Sequence, residues 1–301
     1  MTVCVAALCE NGKALVMAAD KMVGMGYVEG EPDISKMRPL HRDWWVLFAG
    51  DDISPVFDII DYTKHILHTQ HKLGKTEPAS LAAVMKALEA GFHKKRLEVA
   101  ESLYLKTTGW NLNRFNKEGH GVLPNAAQIQ ADIDRFRFAI ELLVVGFDEQ
   151  GHGCIFSLDG NGDKPGVPTR GDIPGFQSIG SGGTVATFML YWRHLSSTVS
   201  AREALYYDLE AKYYGEQATG VGSSTDLYIG RPGQELTAIN DEEVIEKKLI
   251  PICRAMEPRD LRKRDKDFLN SMPELEGFPL IKEDPKKPAS SKKSDDVSNR
   301  P

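Results

Sequence analysis

Two apolar runs open the chain, Val3-Cys4-Val5-Ala6-Ala7-Leu8 and Ala14-Leu15-Val16-Met17-Ala18-Ala19-Asp20. Between them lies Glu10-Asn11-Gly12-Lys13, and Asn-Gly flanked by such runs predicts a β-hairpin. A strand that begins at residue 2 is unusual, because chain ends fray unless something ties them down. Gly24, Gly26 and Gly30 predict a loop. Ile34-Ser35-Lys36-Met37 and Trp44-Trp45-Val46-Leu47-Phe48-Ala49 predict two more strands around a turn at His41-Arg42-Asp43, and Gly50-Asp51-Asp52 ends the pair. The period then changes. Val56, Ile59, Ile60, Ile66 and Leu67 recur near 3.6 residues, which predicts a helix over 53–73 that starts at Ser54-Pro55. A second helix opens at Pro78-Ala79-Ser80 and runs through Leu81, Val84, Leu88 and Phe92 toward Leu103.

In 105–135, Trp110, Phe115, Gly119, Gly121 and Pro124 break any period, so this stretch is read as an insertion with helix in its second half. Phe138–Phe147 and Cys154–Leu158 predict a hairpin around residues 149–152, and 160–171 a loop rich in Gly and Pro. Phe176–Ile179 reads as a short strand running into Gly180-Ser181-Gly182-Gly183. Helices follow at 183–194 and 200–214, with Tyr191-Trp192-Arg193-His194 read as packing a helix face. Thr225–Ile229 and Glu235–Thr237 are the last strands, and a helix is expected from Asp241. Strands, helices, strands, helices, strands and helix in that order predict an α+β fold. The architecture expected is a four-layer αββα sandwich of two antiparallel sheets with helices on both outer faces. A single domain is expected over 1–283, followed by a disordered polar tail over 284–301, where Lys, Ser, Pro and Asp leave nothing to bury.

Composition narrows the function classes. Apolar residues make up 41% and charged residues 27% of 301 positions, ordinary globular values. A net charge of −6 gives no electrostatic footprint for nucleic acid. No apolar run reaches bilayer-spanning length and the start lacks a signal-peptide pattern, so the expected location is cytoplasmic, with no membrane partner. Cys4, Cys9, Cys154 and Cys253 lack CxxC spacing and are expected as buried thiols. The histidines show no ligand spacing, so no metal is expected. Taken alone, Gly180 to Gly183 fit a helix-entry loop or a phosphate cradle, the cradle being the weaker reading because no Walker lysine or dinucleotide fingerprint follows, and no cofactor is expected.

Thr2 supplies the candidate chemistry. If Met1 is removed, this residue carries a hydroxyl nucleophile and an α-amine on one Cα. The amine's reference pKa of about 7.7–8.0 suits a general base near neutrality.

Thr2 at the head of the first strand, Ala18-Ala19-Asp20 at the end of the second, Lys36, Phe48-Ala49-Gly50 and Ile179-Gly180-Ser181-Gly182-Gly183 form an ordered set. That set resembles the β-type subunits of the proteasome family, N-terminal-nucleophile hydrolases that include bacterial ATP-dependent peptidase relatives. The resemblance covers residues 2–60 and, more weakly, 176–250. It implies Thr2 as nucleophile, Lys36 as the cation beside it, Asp20 holding Lys36, and Ser181 near the amine. It also implies the Gly50 N–H as oxyanion donor, with Phe48 and Asp52 bordering the first side-chain pocket. A polypeptide substrate and a homo-oligomer, ring or helical stack, are implied as well, with room for an ATP-dependent unfoldase partner. Maturation would need methionine removal alone.

The resemblance has gaps. Many of these subunits carry Asp-x-x-Ser-Gly-Gly before the last strands, whereas residues 218–226 here offer no match, and no role is assigned from them. Two other readings stand beside threonine-type endopeptidase: a catalytically silent structural subunit, and an N-terminal-nucleophile amidase acting on small amides.

Overall fold

The computed structural model describes residues 2–21, 23–25, 28–30, 35–74, 76–218, 221–239 and 244–254. All of them fall in one compact unit, Met1–Ser271. The expected tail and the start of the expected helix at Asp241 lie outside the described residues.

The first hairpin forms where Asn-Gly predicts it. Strand β1 (Cys4–Cys9) pairs antiparallel with β2 (Ala14–Asp20), Cys4 opposite Ala19 and Cys9 opposite Ala14. Asn11 and Gly12 both take positive φ, 60° and 76°, which these two residue types tolerate best. The stretch expected as a glycine loop contains a short hairpin, β3 (Val23–Met25) with β4 (Val28–Gly30). Next come β5 (Met37–His41) and β6 (Trp44–Gly50), turning at Arg42-Asp43. Lys36 therefore precedes its strand rather than sitting inside it.

Helices α1 (Ser54–Thr69) and α2 (Leu81–Tyr104) match the 3.6-residue pattern. Ser80 caps α2 by accepting the Ala83 N–H. Residues 105–135 hold several short helical turns and one regular helix, α3 (Ala126–Arg135). Trp110 and Phe115, which spoil the periodicity, bury against Leu105, Ala126, Ile129 and Ile133 in a small core of their own. The rest follows as β7 (Ile140–Phe147), β8 (Gly153–Asp159), β9 (Thr169–Arg170), β10 (Phe176–Ile179), α4 (Gly183–Trp192), α5 (Ala201–Gly215), β11 (Thr225–Gly230) and β12 (Thr237–Ala238). Further helical turns occupy Ile245–Leu249 and Ile250–Arg254.

Two five-stranded antiparallel sheets result, in strand order β10-β1-β2-β11-β12 and β5-β6-β7-β8-β9. The first two long hairpins thus belong to opposite sheets. Side-chain alternation builds the layers. On β6, Trp45, Leu47 and Ala49 meet Cys4, Ala6, Leu15 and Met17 between the sheets. Trp44, Val46 and Phe48 face the other way, onto Ile59, Val84 and Leu88 of α1 and α2. Helix α5 packs against β1 and β2 on the opposite outer face. The fold is an α+β sandwich of four layers. Among the described residues no helix is long and apolar enough to cross a membrane.

Candidate active site

Three residues from separate elements meet at the N-terminal end of β1. Thr2 precedes β1, Asp20 closes β2, and Lys36 leads into β5 from the facing sheet. All three are nearly closed to solvent, at 4%, 0% and 3% exposure. The Lys36 ammonium donates to Thr2 Oγ1 at 2.5 Å and to Asp20 Oδ2 at 2.9 Å. Asp20 also accepts the Val3 N–H through Oδ1 at 2.9 Å and the Gly222 N–H through Oδ2 at 3.2 Å. A buried ammonium needs a paired charge and filled acceptors. Asp20 supplies the charge, and its own oxygens are held by two backbone donors.

The turn after β10 grips Thr2 from the other side. Ser181 Oγ lies 3.3 Å from the Thr2 nitrogen and 3.4 Å from the Thr2 carbonyl oxygen, which also accepts the Gly182 N–H at 3.2 Å. Gly180 adopts φ +87°, and a Cβ there would stand 2.2 Å from the Thr2 carbonyl oxygen. Only glycine allows this approach. The Gly180 N–H donates to Glu141 Oε2 at 3.0 Å, a link from one sheet to the other.

A cavity of about 270 Å³ opens beside Thr2, lined among others by Gly50, Asp51, Glu141, Asp159, Asn161 and Ser181. Gly50 takes φ +154°, and a Cβ would lie 2.5 Å from the Ala139 carbonyl oxygen, so glycine is required there too.

The sequence-derived residues divide accordingly. Thr2, Asp20, Lys36 and Ser181 come together, and Gly50 shares their cavity. Phe48 and Asp52 do not line it. Strand alternation turns Phe48 to the helix side, where its ring lies 6.0 Å from that of Phe57, and it is 1% exposed. Asp52 is exposed and accepts the Ser54 N–H at the start of α1. Hydrogen bonds from Ser54 hold its carboxyl below the usual carboxylate range. Its neighbour Asp51 lines the cavity instead. The expected helix-packing role of 191–194 holds only in part. Arg193 is bound to Glu210, whereas Trp192 is 63% exposed.

Sequence reasoning passed over Glu141, Asp159 and Asn161, whose spacing gives no signal before the sheets are assembled. The nearby Cys4 thiol is no competing nucleophile, because burial, followed by the Asp20 charge, pushes it far above the ordinary thiol range. Among the described residues no group of three or more His, Cys, Asp or Glu is gathered to hold a metal ion. No protein-family model matches the chain, and no curated protein matches it.

Proposed function

We propose that the chain is a threonine-type peptidase resembling proteasome β-type subunits, with Thr2 as its N-terminal nucleophile once Met1 is removed. The observation that carries this reading is the Lys36 ammonium, shared between Thr2 Oγ1 and the buried carboxylate of Asp20.

In the uncut chain the Thr2 nitrogen belongs to a peptide bond and has no basic lone pair. Removal of Met1 turns it into an α-amine held beside Ser181. Thr2 Oγ1 then attacks the scissile carbonyl carbon, and the hydroxyl proton passes to the amine, directly or through water. Lys36 stabilises the negative charge that develops on Oγ1. The tetrahedral oxyanion would meet the Gly50 N–H in the cavity. Collapse breaks the C–N bond, the leaving amine takes the proton from the α-ammonium, and an ester to Thr2 remains. Water, deprotonated by the α-amine, hydrolyses that ester and regenerates the hydroxyl.

Such a peptidase takes a polypeptide substrate and works as a homo-oligomer, with room for an ATP-dependent unfoldase. Helix α4 supports self-assembly, because Val185, Phe188, Tyr191 and Trp192 are each 40% or more exposed on a segment without charged residues.

Intact mass and peptide mapping after reaction with a peptidyl epoxyketone test the mechanism, since that adduct needs both the hydroxyl and the free amine of Thr2. The expected result is a chain beginning at Thr2 and modified there. An unmodified chain with free Thr2 favours the silent subunit. Turnover of small amides without turnover of unfolded casein favours the amidase. Equal casein hydrolysis by Thr2→Ala and its parent removes the proposal.

A further inference from the structure

Helix α5 turns a lysine into the body of the protein. Lys212 is fully buried, and its ammonium donates to the carbonyl oxygens of Gly222 at 3.2 Å, Ser223 at 2.9 Å and Ser224 at 3.2 Å. It also donates to Thr225 Oγ1 at 2.8 Å and pairs with the Glu216 carboxylate one turn along. Three N–H bonds are thus shared among five oxygens. Placing an ammonium in the interior is costly, and its partners here belong mostly to one short backbone segment. That segment leads to the site. Gly222 donates its N–H to Asp20 Oδ2, the oxygen that also receives Lys36, and Thr225 enters β11 directly opposite Asp20.

We propose that Lys212 is a positioning residue for the Thr2 centre: it gathers the carbonyls of 222–224 so that the Gly222 N–H holds Asp20, and through it Lys36, at Thr2 Oγ1. The inference rests on the threonine-nucleophile reading and adds to it a residue about ten positions from the segment it orders, with no contact to the cavity. Without the Gly222 N–H, Asp20 Oδ2 loses the backbone donor that fixes it while Val3 still holds Oδ1, so the oxygen that receives Lys36 can shift and the ammonium's aim at Thr2 Oγ1 with it. Small displacements of an aligned group lower the rate of the chemical step more than they weaken substrate binding.

Inactivation by a peptidyl epoxyketone separates these effects, because the maximal rate reports Thr2 reactivity and the half-saturating concentration reports binding. Lys212→Met keeps the unbranched stem as far as Cε without the ammonium, and Thr225→Val removes one oxygen from the cluster at nearly constant shape. Relative to the parent, and per folded molecule by circular dichroism, the maximal rate should fall about tenfold in Lys212→Met and about threefold in Thr225→Val, with half-saturation within about twofold. Lower thermal midpoints with unchanged maximal rates would mean a purely structural lysine and would overturn the inference. If Lys212→Met does not fold, Thr225→Val decides alone, and a parental rate overturns the inference. A parent chain unmodified at Thr2 removes the nucleophile reading and this inference together, a result distinct from equal rates in parent and variants.

Discussion

Lys36 Nζ lies 2.5 Å from Thr2 Oγ1 across the space between two sheets, with Thr2 leading into one and Lys36 into the other. The contact depends on the stacking of the sandwich as well as on the strands themselves. Asp20 completes it from the end of β2, and the three groups form a nearly dry charged centre.

The two ionic partners should therefore respond differently to removal. Asp20→Ala leaves the Lys36 ammonium buried without its counter-charge, and a loss of about 3–5 kcal/mol is expected in urea unfolding. Lys36→Met leaves Asp20 still accepting from Val3 and Gly222, so stability should fall less, while peptide turnover drops by about a hundredfold or more. Equal stability of Asp20→Ala and the parent would show that the pair is not electrostatically coupled.

Gly180→Ala should disable the site by steric contact alone. The new Cβ meets the Thr2 carbonyl oxygen at 2.2 Å, so the turn carrying Ser181 must move. Gly109→Ala is the matched control. It has a similar φ of +76° with nothing within 4 Å, so it carries only the left-handed strain, about 1 kcal/mol. Turnover should fall at least about tenfold in the first and stay at the parental level in the second. Equal turnover in both would rule out the close approach.

Glu141 ties β7 to the Gly180 turn through one carboxylate oxygen. Glu141→Gln keeps an acceptor and should preserve slow exchange of the Gly180 amide hydrogen. Glu141→Leu strands that N–H and should cost about 1–3 kcal/mol of local stability, seen as faster exchange at Gly180. Unchanged exchange in the leucine variant would mean that the link contributes nothing.

Asp208 on α5 gives a pH dependence with a definite sign. It is fully buried, neither carboxyl oxygen has a hydrogen-bond partner among the described residues, and burial raises its pKa well above the ordinary carboxyl value of 3.8. In the unfolded chain it ionises near that value. The folded state holds the proton to higher pH, so the unfolded state gains on it as pH rises. The stabilising contribution is complete below about pH 4 and is lost as pH climbs through the folded pKa. Asp208→Asn cannot ionise, so its stability relative to the parent should increase between about pH 4.5 and 8, measured by urea midpoints. A constant difference over that range would mean that Asp208 is ionised inside the fold.

Much of this protein is written in its linear pattern. Asn11-Gly12 sets the first turn, the 3.6-residue spacing sets α1 and α2, and the order of Thr2, Asp20, Lys36, Gly50 and Ser181 marks the residues that meet. Trp110 and Phe115 defeat the same reading because they bury in a small side core built from several short turns, where no single period applies. Local sequence determines strands, helices and turns because φ/ψ preference and amphipathic spacing act over a few residues. Tertiary structure alone decides which hairpin joins which sheet, and hence that Glu141 meets Gly180 and Lys212 meets the segment beside Asp20. It also decides the direction of Phe48. Trp44–Ala49 is apolar at every position because β6 is buried on both faces, so nothing in its sequence separates the side toward the helices from the side toward the other sheet.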